Sequence, residues 1–191
     1  MTRITETILI NTRNFISNRH GGAAWQRVVE RLDPQLQARY RGALSPKGWV
    51  DFPLVESLLA GVRDELVEQH QLVLFDLGLH NAEANLKLTQ RIIMRVASVN
   101  FVLKMAALLW KGRVKDGGEL AVHKQGRGAV RATLSRFPRP GPDWLEYLRG
   151  WFTRTIELAG GRNLTRGDVP YPRYSVGSDS AASSRSFTFR R

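Results

Sequence analysis

The 191-residue chain has no cysteine. That excludes disulfides, thiolate metal sites and thiol nucleophiles, and it fits a reducing compartment. Long apolar runs are missing too. The longest, Phe101 to Trp110, is broken by Lys104 and falls far short of the roughly 20 residues that span a bilayer. The N-terminal stretch carries Glu6 and Asn11 where a secretion signal needs an unbroken apolar core. The expectation is a soluble, cytoplasmic protein with no transmembrane segment.

Catalytic signatures are equally scarce. No Gly-x-Ser-x-Gly turn is present to hold a nucleophilic serine. Gly117-Gly118 and Gln125-Gly126-Arg127-Gly128 are not followed by a Lys-Ser/Thr pair opening a helix, so they read as hairpin turns and not as a phosphate-binding loop. The four histidines, His20, His70, His80 and His123, fall on separate elements without a ligand partner one helical turn away. His80 with Glu83 has the reverse order of the Glu-x-x-His half-motif of di-iron sites. These absences predict no enzyme, no metal and no cofactor.

Positive charge is abundant. The formal net charge is +12, and residues 110–191 hold 16 Lys/Arg against 7 Asp/Glu, which places +9 of it in the second half. Such an excess suits either plain solubility or an anionic partner. Arg127 and Arg131 have the arginine spacing of the cyclic-dinucleotide-binding PilZ motif, but the matching Asp/Asn-x-Ser-x-x-Gly is absent.

The hydrophobic pattern changes period near Trp110. Before it, helical spacing predicts helices over 5–17, 23–32, 34–41, 51–69 and 71–86, the third opened by Asp33-Pro34 as cap and first residue. Residues 89–111 are apolar on several faces, which predicts a long buried helix. After it, alternation predicts a hairpin of strands 118–124 and 129–137. Pro138-Arg139-Pro140-Gly141-Pro142 interrupts regular structure, and a helix over 143–159 follows, ended by Gly160-Gly161. Leu164 with Val169 to Tyr171 predicts a third strand and Ser186–Arg190 a last one, with a Ser/Gly-rich loop over 175–184 between them. The fold class is therefore α+β: an N-terminal helical layer and long buried helix, then a small antiparallel sheet with one inserted helix. One domain over 1–191 is expected, with a helical half 1–111 and a sheet-containing half 112–191.

The segments Leu109-Trp110-Lys111-Gly112, Gly118-Glu119-Leu120-Ala121-Val122, Phe137-Pro138, Leu148-Arg149-Gly150-Trp151-Phe152 and Glu157-Leu158-Ala159-Gly160-Gly161 resemble the C-terminal half of the haem–nitric-oxide-binding and 4-vinyl-reductase-like superfamily. The chain is also similar to an uncharacterised bacterial branch associated with it. The resemblance implies a sheet and a helical layer enclosing a small-molecule or haem pocket, and hence a sensory or interaction domain. Two departures follow. Haem-binding relatives carry an axial histidine on the helix that corresponds to 89–111, and that stretch has none. They also carry a Tyr-x-Ser-x-Arg triplet, which Tyr174-Ser175-Val176-Gly177-Ser178 does not match. A branch lacking haem ligands is the expectation.

On these grounds the chain reads as a non-enzymatic sensory or protein-interaction module. Its pocket is expected between helix 89–111, helix 143–159 and the sheet, lined by Phe101, Leu108, Trp110, Trp151 and Phe152, and open to a small apolar ligand or a protein partner. The alternative is a nucleic-acid-binding protein that uses Lys124, Arg127, Arg131 and Arg136 for phosphate contacts. A homodimer is expected because Trp144, Trp151 and Phe152 give helix 143–159 more aromatic area than a small sheet covers.

Overall fold

Ile4 and Val50 are buried apolar residues set 46 positions apart, and they meet as cross-strand partners in a sheet that short-range periodicity does not reveal. The computed structural model describes residues 1–84, 107–125, 129–158, 173–175 and 184–190. In it, β1 (Arg3–Thr5) pairs antiparallel with β2 (Trp49–Asp51) on one side and with β3 (Val114–Lys115) on the other. Ile4 faces Val50 and Val114 in register. Helical spacing in the sequence extends back to Thr5 and marks none of these strands. A strand of two or three residues is too short for alternation to register.

Behind this sheet lies the helical layer. Helix α1 (Thr7–His20) buries Ile8, Leu9, Thr12, Phe15 and Ile16, and α2 (Gly22–Arg31) buries Ala24, Trp25 and Val28. α3 (Pro34–Arg41) starts as its sequence predicts: Pro34 occupies the first turn and Asp33 Oδ1 accepts from Gln35 N at 2.8 Å. α4 (Phe52–Leu66) buries one stripe, from Phe52 through Val55, Leu58, Leu59 and Val62 to Leu66. α5 (Val73–Ala84) follows a short turn.

The second half begins with helical residues 107–113, which run one residue past the expected stop at Lys111-Gly112 before β3. The hairpin is β4 (Glu119–Gln125) with β5 (Ala129–Ser135), and it pairs Leu120 with Leu134, both buried. β7 (Ser184–Arg190) lies against β5, and β6 (Arg173–Ser175) lies outside β7, giving the order β4-β5-β7-β6, antiparallel throughout. The last strand thus starts two residues earlier than expected. The third strand lies at Arg173–Ser175, while Leu164 and Val169 to Tyr171 fall outside the described residues.

α6 (Pro142–Leu158) joins the two halves. Asp143 in its first turn pairs with Arg63 of α4 at 2.5 Å, and Gly141 N donates to Glu56 at 2.7 Å. One cluster of buried apolar side chains runs from Ile4 through the helices to Leu134, Phe137 and Phe152. Its aromatic centre is Phe137, whose ring lies 4.8 Å from Phe52, 5.6 Å from Trp110 and 6.1 Å from a parallel Trp144. Such ring pairs add directional packing to area burial. Trp144, Trp151 and Phe152 are only 3%, 9% and 3% exposed. The aromatic surplus that predicted a homodimer is therefore covered within the chain.

Candidate functional site

Where β1, α1, residues 109–114 and α6 converge, the packing leaves a cleft of about 40 Å³. Ile4, Thr5, Thr7 and Ile8 form one wall, Leu109, Trp110, Arg113 and Val114 a second, and Trp144, Tyr147, Leu148 and Trp151 a third, with Asn81 of α5 completing it. The three α6 aromatics recur at 144, 147 and 151, the spacing that sets side chains on one helical face.

Polar groups at the cleft fall into two kinds. Some are already engaged. Asn81 accepts from Asn11 at 2.9 Å and donates to Leu77 O at 3.2 Å, Thr5 and Thr7 share a 2.7 Å hydroxyl contact, and Arg113 donates to Thr7 Oγ1 at 2.8 Å. The other kind is closed off: the indole nitrogens Trp110 Nε1 and Trp144 Nε1 of two lining residues are buried, with no hydrogen-bond partner among the described residues. A buried donor left open costs about 1–3 kcal/mol, so two at one cleft call for a physical reason.

Arg113 is the one charged side chain among the described residues lining the cleft. Burial pulls the Arg113 guanidinium below its ordinary value, with a smaller opposing effect from Tyr147, but an arginine remains charged throughout the physiological range. Burial pushes the Tyr147 phenol far up, and the Arg113 charge only partly opposes it. Tyr147 therefore stays neutral.

The residues expected from sequence separate here. Trp110 and Trp151 line the cleft. Phe152 is buried beside it, edge-on to Trp151 at 5.3 Å, and does not line it. Leu108 is 60% exposed, because two residues along a helix turn the side chain about 200° away from Trp110. Phe101 lies outside the described residues. Arg113 and Trp144 were not foreseen as pocket groups. Their sequence signals, a cation one turn after Trp110 and an aromatic stripe, are shared by any packed helix.

The basic hairpin does not assemble into one surface on the described residues. Arg136 is exposed and paired with Glu119 at 2.8 Å. Lys124 stands opposite Val130 and Arg131 opposite His123, so the two basic residues are not cross-strand partners. Arg127 lies outside the described residues.

Three of the histidines, expected on separate elements, come together. His70 Nε2 lies 2.9 Å from Asp76 Oδ2 and His70 Nδ1 lies 3.4 Å from His20 Nε2, while the Phe15 ring sits 6.1 Å from His20 and 5.4 Å from His80. Asp76 also pairs with Arg19 at 3.1 Å. Both nitrogens of His70 are occupied by neighbours, and no group of three His, Asp or Glu able to hold a metal exists among the described residues.

No protein-family model and no curated protein matches this chain. Solved structures do match, at low identity and over nearly the whole length. An oxygen-binding H-NOX domain related to soluble guanylate cyclases, in its oxygen complex, is 13% identical with a TM-score of 0.59, covering 98% of this chain and 94% of its own. A Cs H-NOX mutant carrying 4-cyano-L-phenylalanine is 13% identical with a TM-score of 0.59, covering 98% of this chain and 96% of its own. A mutant of T. tengcongensis H-NOX is 13% identical with a TM-score of 0.56, covering 98% of this chain and 97% of its own. At this identity the likeness establishes architecture: the chain has an H-NOX-like α+β fold.

Proposed function

We propose that the chain is a haem-independent, non-enzymatic sensory module whose receptor site is the cleft between β1, α1, residues 109–114 and α6. The observation that carries this reading is the cleft itself, lined on one helical face by Trp144, Tyr147 and Trp151 and holding Arg113 as its one charged side chain among the described residues. A ligand that fits the cleft stabilises the conformers that bind it. Binding then favours the conformers in which all three walls are in place, which is the physical basis of a sensor.

The H-NOX-like fold raises the question of haem, and the residues present do not fit it. Haem iron takes an imidazole, thiolate, thioether or phenolate as axial ligand. Among the described residues lining the cleft there is no histidine and no methionine, its one phenol, Tyr147, is held neutral by burial, and no cysteine occurs in the sequence. His20 and His70 are held by each other and by Asp76, away from the cleft walls. The cleft of about 40 Å³ is also far smaller than the roughly 300 Å³ or more of ordinary cofactor pockets. Titration of the purified protein with haemin tests this directly. The expected result is no stoichiometric Soret band, and a saturable band at one equivalent overturns the reading.

A further inference from the structure

Away from the cleft, the end of α1 meets the turn between α4 and α5 through two imidazoles. We infer that His20 and His70 form a proton-sensitive clasp, which holds these segments together while at most one of the two rings is a cation and releases them when both are.

Proton counting leads there. His70 Nε2 lies 2.9 Å from Asp76 Oδ2, and an ionised carboxylate only accepts, so this nitrogen carries hydrogen and donates. A neutral His70 therefore has a bare Nδ1, which accepts from His20 Nε2–H across 3.4 Å. When His70 is a cation the direction reverses, and its Nδ1–H donates to a bare Nε2 on neutral His20. Both states keep the contact. With both rings cationic, two N–H groups and two like charges face each other, at ring centroids 5.4 Å apart. The neighbouring groups do not relieve this. Arg19 of α1 adds positive charge and shares Asp76 with His70, at 3.1 Å. On α5, His80 lies against the Phe15 ring and near Glu83, which Arg154 of α6 holds at 3.1 Å. Burial and the charges of His70 and Arg19 hold His20 below its ordinary value, in keeping with a resisted second proton. No third His, Asp or Glu joins the pair in a metal-binding group among the described residues, so protons are what it exchanges.

Position in the fold gives the clasp something to release. Asn11 and Asn81 tie α1 to α5 at 2.9 Å beside the cleft, and His20, His70 and Asp76 tie the other end of the same helix pair. Beyond His20 the chain turns at Gly21 with φ +87°, and a Cβ on Gly21 or Gly22 would meet nothing within 4 Å. The corner between α1 and α2 therefore has space in which to move. The clasped pair takes up one proton and the open pair two, each near the ordinary histidine value of about 6.5. Acid thus favours the open form, and below about pH 6 the clasped population falls by a factor approaching tenfold per pH unit.

The experiment follows amide hydrogen exchange of the full chain between about pH 8 and about pH 5, the range in which imidazoles titrate. Its reporters are His70 N and Val73 N, bonded to Leu66 O at 2.8 Å and to His70 O at 3.0 Å, and the amide of His20 in the last turn of α1. Rates are corrected for the intrinsic pH dependence of exchange, and nitrogen-15 spectra of labelled histidine give the charge of each ring. Protection at the three reporters is expected to hold down to about pH 6.5 and then to fall by up to about tenfold per unit, as the second ring becomes cationic. Leu59, fully buried in α4, is expected to stay protected. In His20→Gln the side-chain amide can donate or accept and does not titrate, so protection is expected to persist to about pH 5, whereas His80→Gln leaves the loss in place. Two cationic rings with undiminished protection overturn the inference, as does an unchanged loss in His20→Gln. A loss that Leu59 shares also overturns it, since the whole chain is then unfolding. The wild-type spectra and exchange decide the matter alone if a variant does not fold.

Discussion

Gly78 of α5 and Gly150 of α6 bring the two helices into backbone contact. A Cβ on Gly78 would sit 2.1 Å from Tyr147 O and 3.1 Å from Gly150 Cα, and one on Gly150 would sit 1.9 Å from Phe75 O. The crossing fixes α6, and with it Tyr147 and Trp151, against the cleft. The obstacles are main-chain atoms inside two packed helices, so neither side can yield. Gly78→Ala and Gly150→Ala are each expected to destabilise by roughly 1–3 kcal/mol or more, after any gain from alanine's helix propensity. Gly61→Ala is the contrast, because its nearest obstacle is the flexible end of Leu32 at 2.9 Å, and its cost is expected to be the smallest of the three. Urea unfolding of the three variants checks the order.

How much of this was legible in the sequence depends on range. α4 and α6 carry long, strongly periodic stripes, and both lie within a few residues of their expected limits. The hairpin announced itself by alternation on either side of a glycine-rich turn. The sheet of β1, β2 and β3 did not, because each strand is three residues or fewer and its partners lie far along the chain. At the cleft, Trp110 and Trp151 were legible as large apolar residues on inward faces. Arg113 and the open N–H of Trp144 were not. Whether an indole nitrogen finds an acceptor is decided by packing among distant segments, as is the neighbourhood of His20 and His70.

Stability should depend on pH through two histidines. Burial, with the nearby charges of His70 and Arg19, lowers His20 below 6.5, and burial lowers His80 below the same value, against a smaller raising effect from Glu83. A lowered imidazole is held neutral in the fold, so between its folded value and 6.5 the unfolded chain binds more protons. This contribution is complete above 6.5 and is lost as pH falls through the folded values. The thermal midpoint is expected to drop as the buffer is taken from neutral towards pH about 5. His80→Gln is expected to flatten that dependence, and an unchanged slope in the variant would contradict the assignment.

Asp33 is the cap of α3, with Pro34 behind it and Gln35 N bonded to its Oδ1 at 2.8 Å. Replacing it by alanine removes one acceptor from a helix of 8 residues and touches no core contact. The expected cost is about 1 kcal/mol, and Asp33→Asn is expected to recover most of it. Chemical denaturation of both variants measures the difference.

Glu6 is a buried carboxylate, 7% exposed, at the junction of β1 and α1. It occupies the N-cap position of α1, but its side chain makes no capping hydrogen bond. Its oxygens instead accept from Arg39 of α3 and from Ser45 N at 2.9 Å, while its own backbone N donates to Gly48 O at 2.9 Å. One side chain thereby ties the start of α1 to α3 and to the turn that leads into β2, the edge strand beside the cleft wall. Gly48 is required at that turn, since a Cβ there would fall 2.3 Å from Glu6 Oε2. Glu6→Gln keeps the shape but removes the charge that Arg39 faces and puts an NH₂ where one of two donors must be accepted. The expected loss is about 1.5–3 kcal/mol, the range for hydrogen bonds to a charged group. The double variant Glu6→Gln with Arg39→Met separates the parts. If the ion pair carries the effect, the double variant loses less than the sum of the single losses, and if the Ser45 contact carries it, the losses add. Guanidinium unfolding of the four proteins of this cycle distinguishes the two.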